Sequence, residues 1–160
     1  MVELKEYLGG WLEGRIEPGV AGLVGMRLIS AGGGEARLEM QAGPQHHNPM
    51  GIVHGGILCD LADAAMGGAM ASSLEEGETF STVELQMNYF RPVRQGRLAA
   101  SARMVRRGRT TAYLESEVFD ADGQLVAKGS SCCVIRHAGG TEDTTLIPDY
   151  PGKPEAARAA

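Results

Sequence analysis

The 160-residue sequence lacks any apolar run near the roughly 20 residues that a membrane-spanning helix requires. Its first residues, MVELKEYLGGWLEGR, lack the basic start and continuous apolar centre of a secretory signal. Cysteine is scarce, with three residues, and Cys132 and Cys133 are adjacent, so that on a strand they point to opposite faces. We therefore expect a cytoplasmic protein with no disulfide framework and no membrane partner.

Several catalytic and cofactor motifs are also missing. The four histidines lack the spacing of H-E-x-x-H, and no C-x-x-C accompanies them. The sequence contains no G-x-S-x-G nucleophile elbow, no P-loop and no Rossmann glycine fingerprint. These absences argue against a zinc site, against a hydrolase of the serine-elbow type and against a bound nucleotide cofactor. We expect neither a metal nor a cofactor.

Basic residues are few in total but unevenly distributed. The net charge is −5, yet seven of the fifteen Lys and Arg residues lie within Arg91 to Arg109, a segment without Asp or Glu. The overall negative charge argues against nucleic-acid binding, which depends on neutralising phosphates. The segment itself has two open interpretations. Its arginines bind a local anion such as a phosphorylated small molecule, or they lie on solvated strand faces, protect a sheet edge and pair with glutamates.

Hydrophobic patterning predicts one α+β domain over residues 1–136. A helix is predicted over 3–14, strands over 23–29 and 35–41, and a long helix over 55–73. From residue 80 onward apolar residues recur with period two, in runs that continue near 97–105, 111–120 and 124–136. Because the connectors are short, consecutive strands are predicted to be antiparallel neighbours. Residues 137–160 show no periodicity and are predicted to form a surface or disordered tail.

The predicted elements form about six antiparallel strands that wrap around one long central helix. Leu58, Leu61 and Ala65 lie on one face of that helix, and Asp60 and Asp63 lie on the opposite face. In the strand that follows the helix, apolar and polar residues alternate. Val83 is the first residue of the apolar set, and Thr82 is the first residue of the polar set. The outer face and edges of such a sheet need a partner, so we expect an oligomer.

The stretch QHHNPMGIVHGGILCDLADAAMGG, residues 45–68, carries the candidate chemistry. The N–H of Gly55 is one of the unpaired donors at the start of the helix, where the helix dipole stabilises negative charge. Asp63, or its neighbour Asp60, is suited to act as a nucleophile or general base if a partner chain removes it from water. The alternative is structural: a Gly-Gly turn, a half-buried His54 and solvated carboxylates.

In combination these residues resemble the hotdog-fold acyl-CoA thioesterases, specifically the PaaI-like branch with its phenylacetate-pathway and hydroxybenzoyl-CoA thioesterases. The similar segments are HNPMGIVHGGILCDLADAAMGGA, STVELQMNYFRPV and RRGRTTAYLESEVFDADGQLVAKGSSCCVI. Together the similarity covers about residues 20–136. It implies a hotdog fold and hydrolysis of aryl- or medium-chain acyl-CoA thioesters.

The resemblance also implies roles for particular residues. Asp63 would attack the thioester carbonyl or activate water, and Gly55 would bind the oxyanion through its N–H. Asn48 and His54 would orient the thioester or the catalytic groups, and Thr82 would hold a water or hydroxyl. In such relatives the site lies between subunits, with Asn48 and Gly55 from one chain and Asp63 and Thr82 from the other.

Further expectations concern coenzyme A, the acyl pocket and the assembly. The candidate ligands for the CoA phosphates are Arg91, Arg106, Arg107 and Arg109, with Gly108 permitting close approach. Candidate pocket residues are Met50, Met66, Met70, Leu74 and Tyr89. The resemblance implies a homodimer and a dimer of dimers, hence a homotetramer. Two other functions stay open: a non-catalytic acyl-CoA sensor and an enoyl-CoA hydratase or dehydratase.

Overall fold

The computed structural model describes residues 4–16 and 18–137. Its helices are α1 (Leu4–Leu12), α2 (Gly19–Val24) and α3 (Gly55–Ser73), with a short 3-10 turn at Pro44–His46. Its strands are β1 (Met26–Gly32), β2 (Glu35–Ala42), β3 (Glu78–Tyr89), β4 (Gly96–Arg107), β5 (Thr111–Phe119) and β6 (Leu125–His137). In this part of the chain no helix is both long and apolar enough to cross a bilayer.

The six strands form one antiparallel sheet in the order β1-β2-β4-β5-β6-β3, and α3 packs against its inner face. This confirms the predicted fold class, a hotdog fold with a six-stranded sheet around one central helix. The three cysteines are free thiols. The predicted tail, apart from His137 at the end of β6, lies outside the described residues.

Helix α3 begins and ends where the sequence predicts. Four glycines in this helix each disfavour it by roughly 1 kcal/mol relative to alanine, so tertiary packing must stabilise it. Leu61, Ala62 and Ala65 are fully buried against the sheet. A Cβ on Gly68 would lie 3.2 Å from the Cβ of Ala36, so this glycine permits close contact between helix and sheet.

The predicted strand over 23–29 is wrong in its first residues. Leu23 and Val24 belong to α2, and Gly25 ends that helix in the left-handed conformation at φ 78°. Glycine adopts this conformation without the steric cost of a Cβ. The strand therefore begins only at Met26.

Strands β3 and β4 are not neighbours, although only residues 90–95 connect them. β3 lies at an edge beside β6, whereas β4 lies between β2 and β5, so the prediction that they pair is wrong. The connection crosses the end of the sheet: the N–H of Phe90 donates to Val126 O, and Val93 O accepts the N–H of Val53. A short connection suffices because the two strands are only three strand spacings apart, about 14 Å, and six extended residues span about 20 Å.

A bulge interrupts the alternation of β3. Thr82 pairs with Cys133 and Glu84 pairs with Cys132, so Val83 has no partner and is 63% exposed. The extra residue changes which side chains face α3. The inner face of β3 carries Phe80, Thr82, Leu85, Met87 and Tyr89, each opposite a buried residue of β6. The predicted alternation, which put Thr82 on the opposite face from Leu85, Met87 and Tyr89, is wrong for this reason.

Candidate active site

The segment that leads into α3 is anchored by His46, which is buried. Its Nδ1 accepts the N–H of Gly43 at 3.1 Å, and its Nε2 donates to the carbonyl of Val24 at 3.1 Å. The neutral imidazole satisfies both contacts. His46 O in turn accepts the N–H of His54 at 2.8 Å. His46 is therefore a structural residue that fixes the start of α3.

Asn48 folds the loop before the helix. Its Oδ1 accepts the N–H of Met50 at 2.9 Å, and its backbone N–H donates to Ile52 O at 2.8 Å. The side-chain carbonyl is therefore occupied within the loop. Among the described residues no acceptor contacts the Asn48 side-chain NH₂, which remains a free donor.

His54 is the N-cap of α3. Its Nδ1 accepts the N–H of Gly56 at 2.8 Å, so the neutral ring carries its proton on Nε2 and presents an N–H donor to solvent. A Cβ on Gly56 would lie 2.9 Å from that Nδ1, which explains the second glycine of the pair.

The first glycine has no such structural explanation. Gly55 has no positive φ, and a Cβ there would make only ordinary contact with Tyr89, at 3.4 Å or more. Its N–H has no acceptor within the described part of the chain. Gly55 thus offers an unpartnered donor at a helix N-terminus with no side chain in the way, the arrangement that binds an oxyanion.

Asp63 lies about two turns further along α3 and is half-buried. Burial, and then the neighbouring Asp60 carboxylate, raise the pKa of the Asp63 carboxyl. The Asp63 charge also adds to the burial that raises the pKa of the Cys133 thiol, so these side chains interact. Thr82 Oγ1 lies 3.8 Å from Cys133 Sγ. The bulge in β3 therefore directs Thr82 toward the side of the sheet that carries Asp63.

One chain does not place the donor and the carboxylate together. Gly55 and Asp63 are eight residues apart in α3, a rise of about 12 Å at about 1.5 Å per residue. A single thioester carbonyl cannot contact both groups at that separation. The chain therefore presents two separate sets of groups, donors at the start of α3 and a carboxylate in its middle.

The candidate CoA ligands differ in their surroundings. The Arg107 guanidinium contacts the carboxylate of Glu78, whose side chain is 4% exposed. Burial by itself would raise the pKa of Glu78, but the Glu75 N–H and Arg107 outweigh it and lower that pKa. Gly108 closes a turn by donating its N–H to Thr111 O at 2.7 Å. Both residues thus have structural contacts.

The other three arginines of that set are exposed: Arg91, Arg106 and Arg109. Within residues 4–16 and 18–137 none of their guanidinium groups has an ion pair. Arg91 lies just after the end of β3, whereas Arg106 and Arg109 lie where β4 turns into β5. The twelve residues of β3 rise about 36 Å or slightly more, so the two groups lie at opposite ends of the sheet.

The candidate pocket residues fall into a buried group and an exposed group. Met66, Met70 and Leu74 are at most 2% exposed and belong to the core. Met50 is 72% exposed and Tyr89 is 50% exposed. Sequence periodicity alone does not separate a buried methionine that fills the core from one that lines a pocket.

Comparison with known proteins shows the family to which the chain belongs. A family model described as the thioesterase superfamily matches residues 50–127. The proofreading thioesterase EntH of Klebsiella pneumoniae is 35% identical over 100 residues, which are 61% of this chain and 67% of that protein. Human acyl-coenzyme A thioesterase 13 is 29% identical over 104 residues, 64% of this chain and 74% of that protein.

A solved structure is similar over most of the fold. It is that of a mutant of the phenylacetic acid degradation protein PaaI from Thermus thermophilus, with a TM-score of 0.67 and 29% identity. The match covers 72% of this chain and 96% of that one. The chain belongs to the thioesterase superfamily, with its hotdog fold. Within that superfamily it is a PaaI-like thioesterase, and its enzymatic class is thioester hydrolase.

Proposed function

We propose that this protein is an acyl-CoA thioesterase that hydrolyses aryl- or medium-chain acyl-CoA to the free acid and CoA. The observation that carries the proposal is the pair of groups on α3: the unpartnered Gly55 N–H and the desolvated Asp63 carboxylate. The names of the human thioesterase and of the phenylacetic acid degradation protein support a CoA thioester and an aryl acyl group.

The proposed reaction needs charge stabilisation more than it needs a strong acid. The oxygen of water forms a bond to the thioester carbonyl carbon, the C–S bond breaks, and the thiolate of CoA leaves and takes up a proton. The Gly55 N–H, assisted by the helix dipole, stabilises the oxyanion, and the free donors of Asn48 and His54 orient the thioester. Losing one such donor typically costs about 3 kcal/mol.

Asp63 acts in its ionised form in one of two ways. As a base it removes a proton from the attacking water, or as a nucleophile it forms an acyl–Asp63 anhydride while the CoA thiolate leaves, and water then hydrolyses that anhydride to the free acid. Thr82 holds the water or the hydroxyl beside it. The raised pKa makes the carboxylate a better base than an ordinary aspartate, and it also means that acid inactivates the enzyme at a higher pH.

We propose that each site combines two chains of a homodimer, and that dimers associate into a homotetramer. Asn48 and Gly55 come from one chain, and Asp63 and Thr82 come from its partner. The 12 Å rise between Gly55 and Asp63 supports this division, as does the position of β3 at an edge of the sheet. Pairing of two chains through their β3 edges would also bring Arg91 of one chain toward the opposite end of the sheet in the other chain.

The phosphates of CoA are assigned to Arg91, Arg106 and Arg109, which are exposed and lack ion pairs in the described residues. Guanidinium groups bind phosphate through two parallel N–H donors. Arg107 already contacts Glu78, so its contribution to CoA binding stays a prediction. Gly108 shapes the turn between Arg107 and Arg109.

The function is tested by release of free thiol from a panel of aryl- and medium-chain acyl-CoAs. Asp63→Asn is expected to keep the fold and lose at least about 10²-fold in kcat. Asp60→Asn is the matched control on the same helix face. It removes a neighbouring negative charge, lowers the pKa of Asp63 and moves the acid limb of kcat to lower pH, with only a small fall in the plateau rate.

Other results would identify another function. Equal loss of activity in both variants would contradict the assignment of the carboxylate. A thermal shift on adding acyl-CoA, with no thiol released across the panel, would identify a non-catalytic sensor. Addition of water to crotonyl-CoA without thiol release would identify a hydratase.

A further inference from the structure

Tyr89, the last residue of β3, contacts the start of α3, an element far from it in the sequence. Its hydroxyl donates to the carbonyl of Gly55 at 3.1 Å. Its ring lies beside the Cα of that glycine, with Cζ 3.4 Å and Cε1 3.5 Å from the point that a Cβ would occupy. The edge strand and the helix N-terminus are thus joined at the residue that carries the proposed oxyanion donor.

From this contact we infer that Tyr89 is a positioning residue, which holds the peptide group between Gly55 and Gly56 and thereby the direction of the Gly55 N–H. The inference rests on the proposed function, since it assigns the contact a part in binding the oxyanion. It concerns a residue that acts through the backbone and need not touch the substrate.

Both ends of that peptide group are held by side chains. Its carbonyl accepts from the Tyr89 hydroxyl, and its N–H donates to His54 Nδ1 at 2.8 Å. Without these contacts the peptide group would rotate freely, because both residues that flank it are glycines and no other pair of residues restricts the backbone so little. Rotation about the Gly55 backbone redirects its N–H, and oxyanion donors work only when they are aimed before the charge develops.

A purely structural purpose explains the contact less well. In an α-helix the carbonyl of residue 55 already accepts the N–H of residue 59, so it does not need the phenol. Tyr89 is 50% exposed and is not part of the buried core. Its orientation depends on the bulge at Val83, because without the extra residue Tyr89 and Thr82 would lie on opposite faces of β3.

Tyr89→Phe tests the inference because it keeps the ring and removes only the hydroxyl. We expect kcat for the best acyl-CoA to fall about threefold to tenfold, the range of one neutral hydrogen bond, with KM and the unfolding midpoint unchanged. Amide hydrogen exchange at Gly56, followed by NMR, is expected to accelerate by a similar factor. A purely structural role would lower the unfolding midpoint without this selective effect on kcat.

Tyr113→Phe is the matched control, since Tyr113 lies on β5, is 38% exposed and makes no hydrogen bond through its hydroxyl among the described residues. It should leave kcat and Gly56 exchange unchanged. The inference would be overturned if the Tyr89→Phe variant had the same kcat as the wild type, or the same rate of amide exchange at Gly56. A wild-type enzyme that hydrolyses no thioester would contradict the proposed function instead, and the exchange measurement would still decide whether Tyr89 holds the peptide group.

Discussion

At the scale of single residues, Asn48 uses the two ends of its side-chain amide differently. Oδ1 holds the loop by accepting the Met50 N–H, and the NH₂ is free to donate in the described part of the chain. Asn48→Asp keeps an oxygen for Met50 and replaces the donor with a negatively charged oxygen. We expect unchanged thermal unfolding and at least about 10²-fold loss of kcat, because a carboxylate repels the oxyanion as well as failing to donate to it.

The control for this substitution is Asn88→Asp on the exposed side of β3, which makes the same chemical change away from the loop. It should have wild-type kcat. Retention of more than about a tenth of the activity by Asn48→Asp would show that its donor does not serve the reaction.

The candidate site residues were predictable from sequence where their signal is local. Asn48, His54 and Gly55 lie around one helix start, and Asp60 and Asp63 lie on the helix face opposite the predicted core, so spacing marks them as candidates. The family resemblance then favoured Asp63 over Asp60. The contact of Tyr89 with Gly55 was not predictable. It joins residues 34 positions apart, and no periodicity specifies which half-exposed tyrosine reaches a helix terminus.

At the scale of elements, the ion pair of Glu78 and Arg107 ties the start of β3 to the end of β4. Arg107→Met removes the guanidinium from a buried carboxylate, which keeps only the Glu75 N–H and the His137 imidazole at 3.5 Å, and breaking such a pair typically costs about 3 kcal/mol. We expect the free energy of unfolding, measured with urea at neutral pH, to fall by about this amount, and KM for acyl-CoA to rise less than it does when an exposed arginine of the set is replaced.

The comparison variant is Arg106→Gln, one residue earlier and exposed without an ion pair in the described residues. It should raise KM, most strongly at low salt, and leave the unfolding free energy unchanged. If Arg107→Met instead raises KM as much as Arg106→Gln does, Arg107 binds CoA.

Elements were predictable to the extent that their residues repeat with one period. The apolar face of α3 has an uninterrupted helical period, and both of its ends were predicted correctly. Strand β3 changes phase at Val83, and a bulge leaves no mark in a sequence that alternates smoothly across it. The apolar residues at 23 and 24 fit a helix as well as a strand, and only the left-handed conformation of Gly25 separates α2 from β1.

At the scale of the whole molecule, a site shared between chains makes a prediction about hybrids. In a dimer of one Asn48→Asp chain and one Asp63→Asn chain, one site carries both changes and the other carries neither. Random pairing of equal amounts should restore about a quarter of wild-type activity, although each variant alone is inactive. Co-expression of differently tagged chains tests this: the unfractionated mixture should show about a quarter of wild-type activity, and the hybrid purified through both tags about half per dimer.

Hybrids with no more activity than their parents would show that each site lies within one chain. The positive control is a hybrid of Asp63→Asn with the wild-type chain, which should keep about half of the wild-type activity per dimer. Its activity would show that dimers assemble with mixed chains.

The sequence by itself determined the long helix, the run of strands after it and the residue types that make up the candidate site. Period 3.6 in residues 55–73 and period two after residue 80 are local properties, and helix-start donors and carboxylates are set by residue type and spacing. Tertiary structure alone decided strand order, the partner of Arg107 and the inward direction of Thr82, because each depends on how a curled sheet closes around α3. The donor set at the start of α3 is therefore predictable from the sequence, because its members are close together along the chain. The separation of Gly55 from Asp63 is set by the helix that joins them.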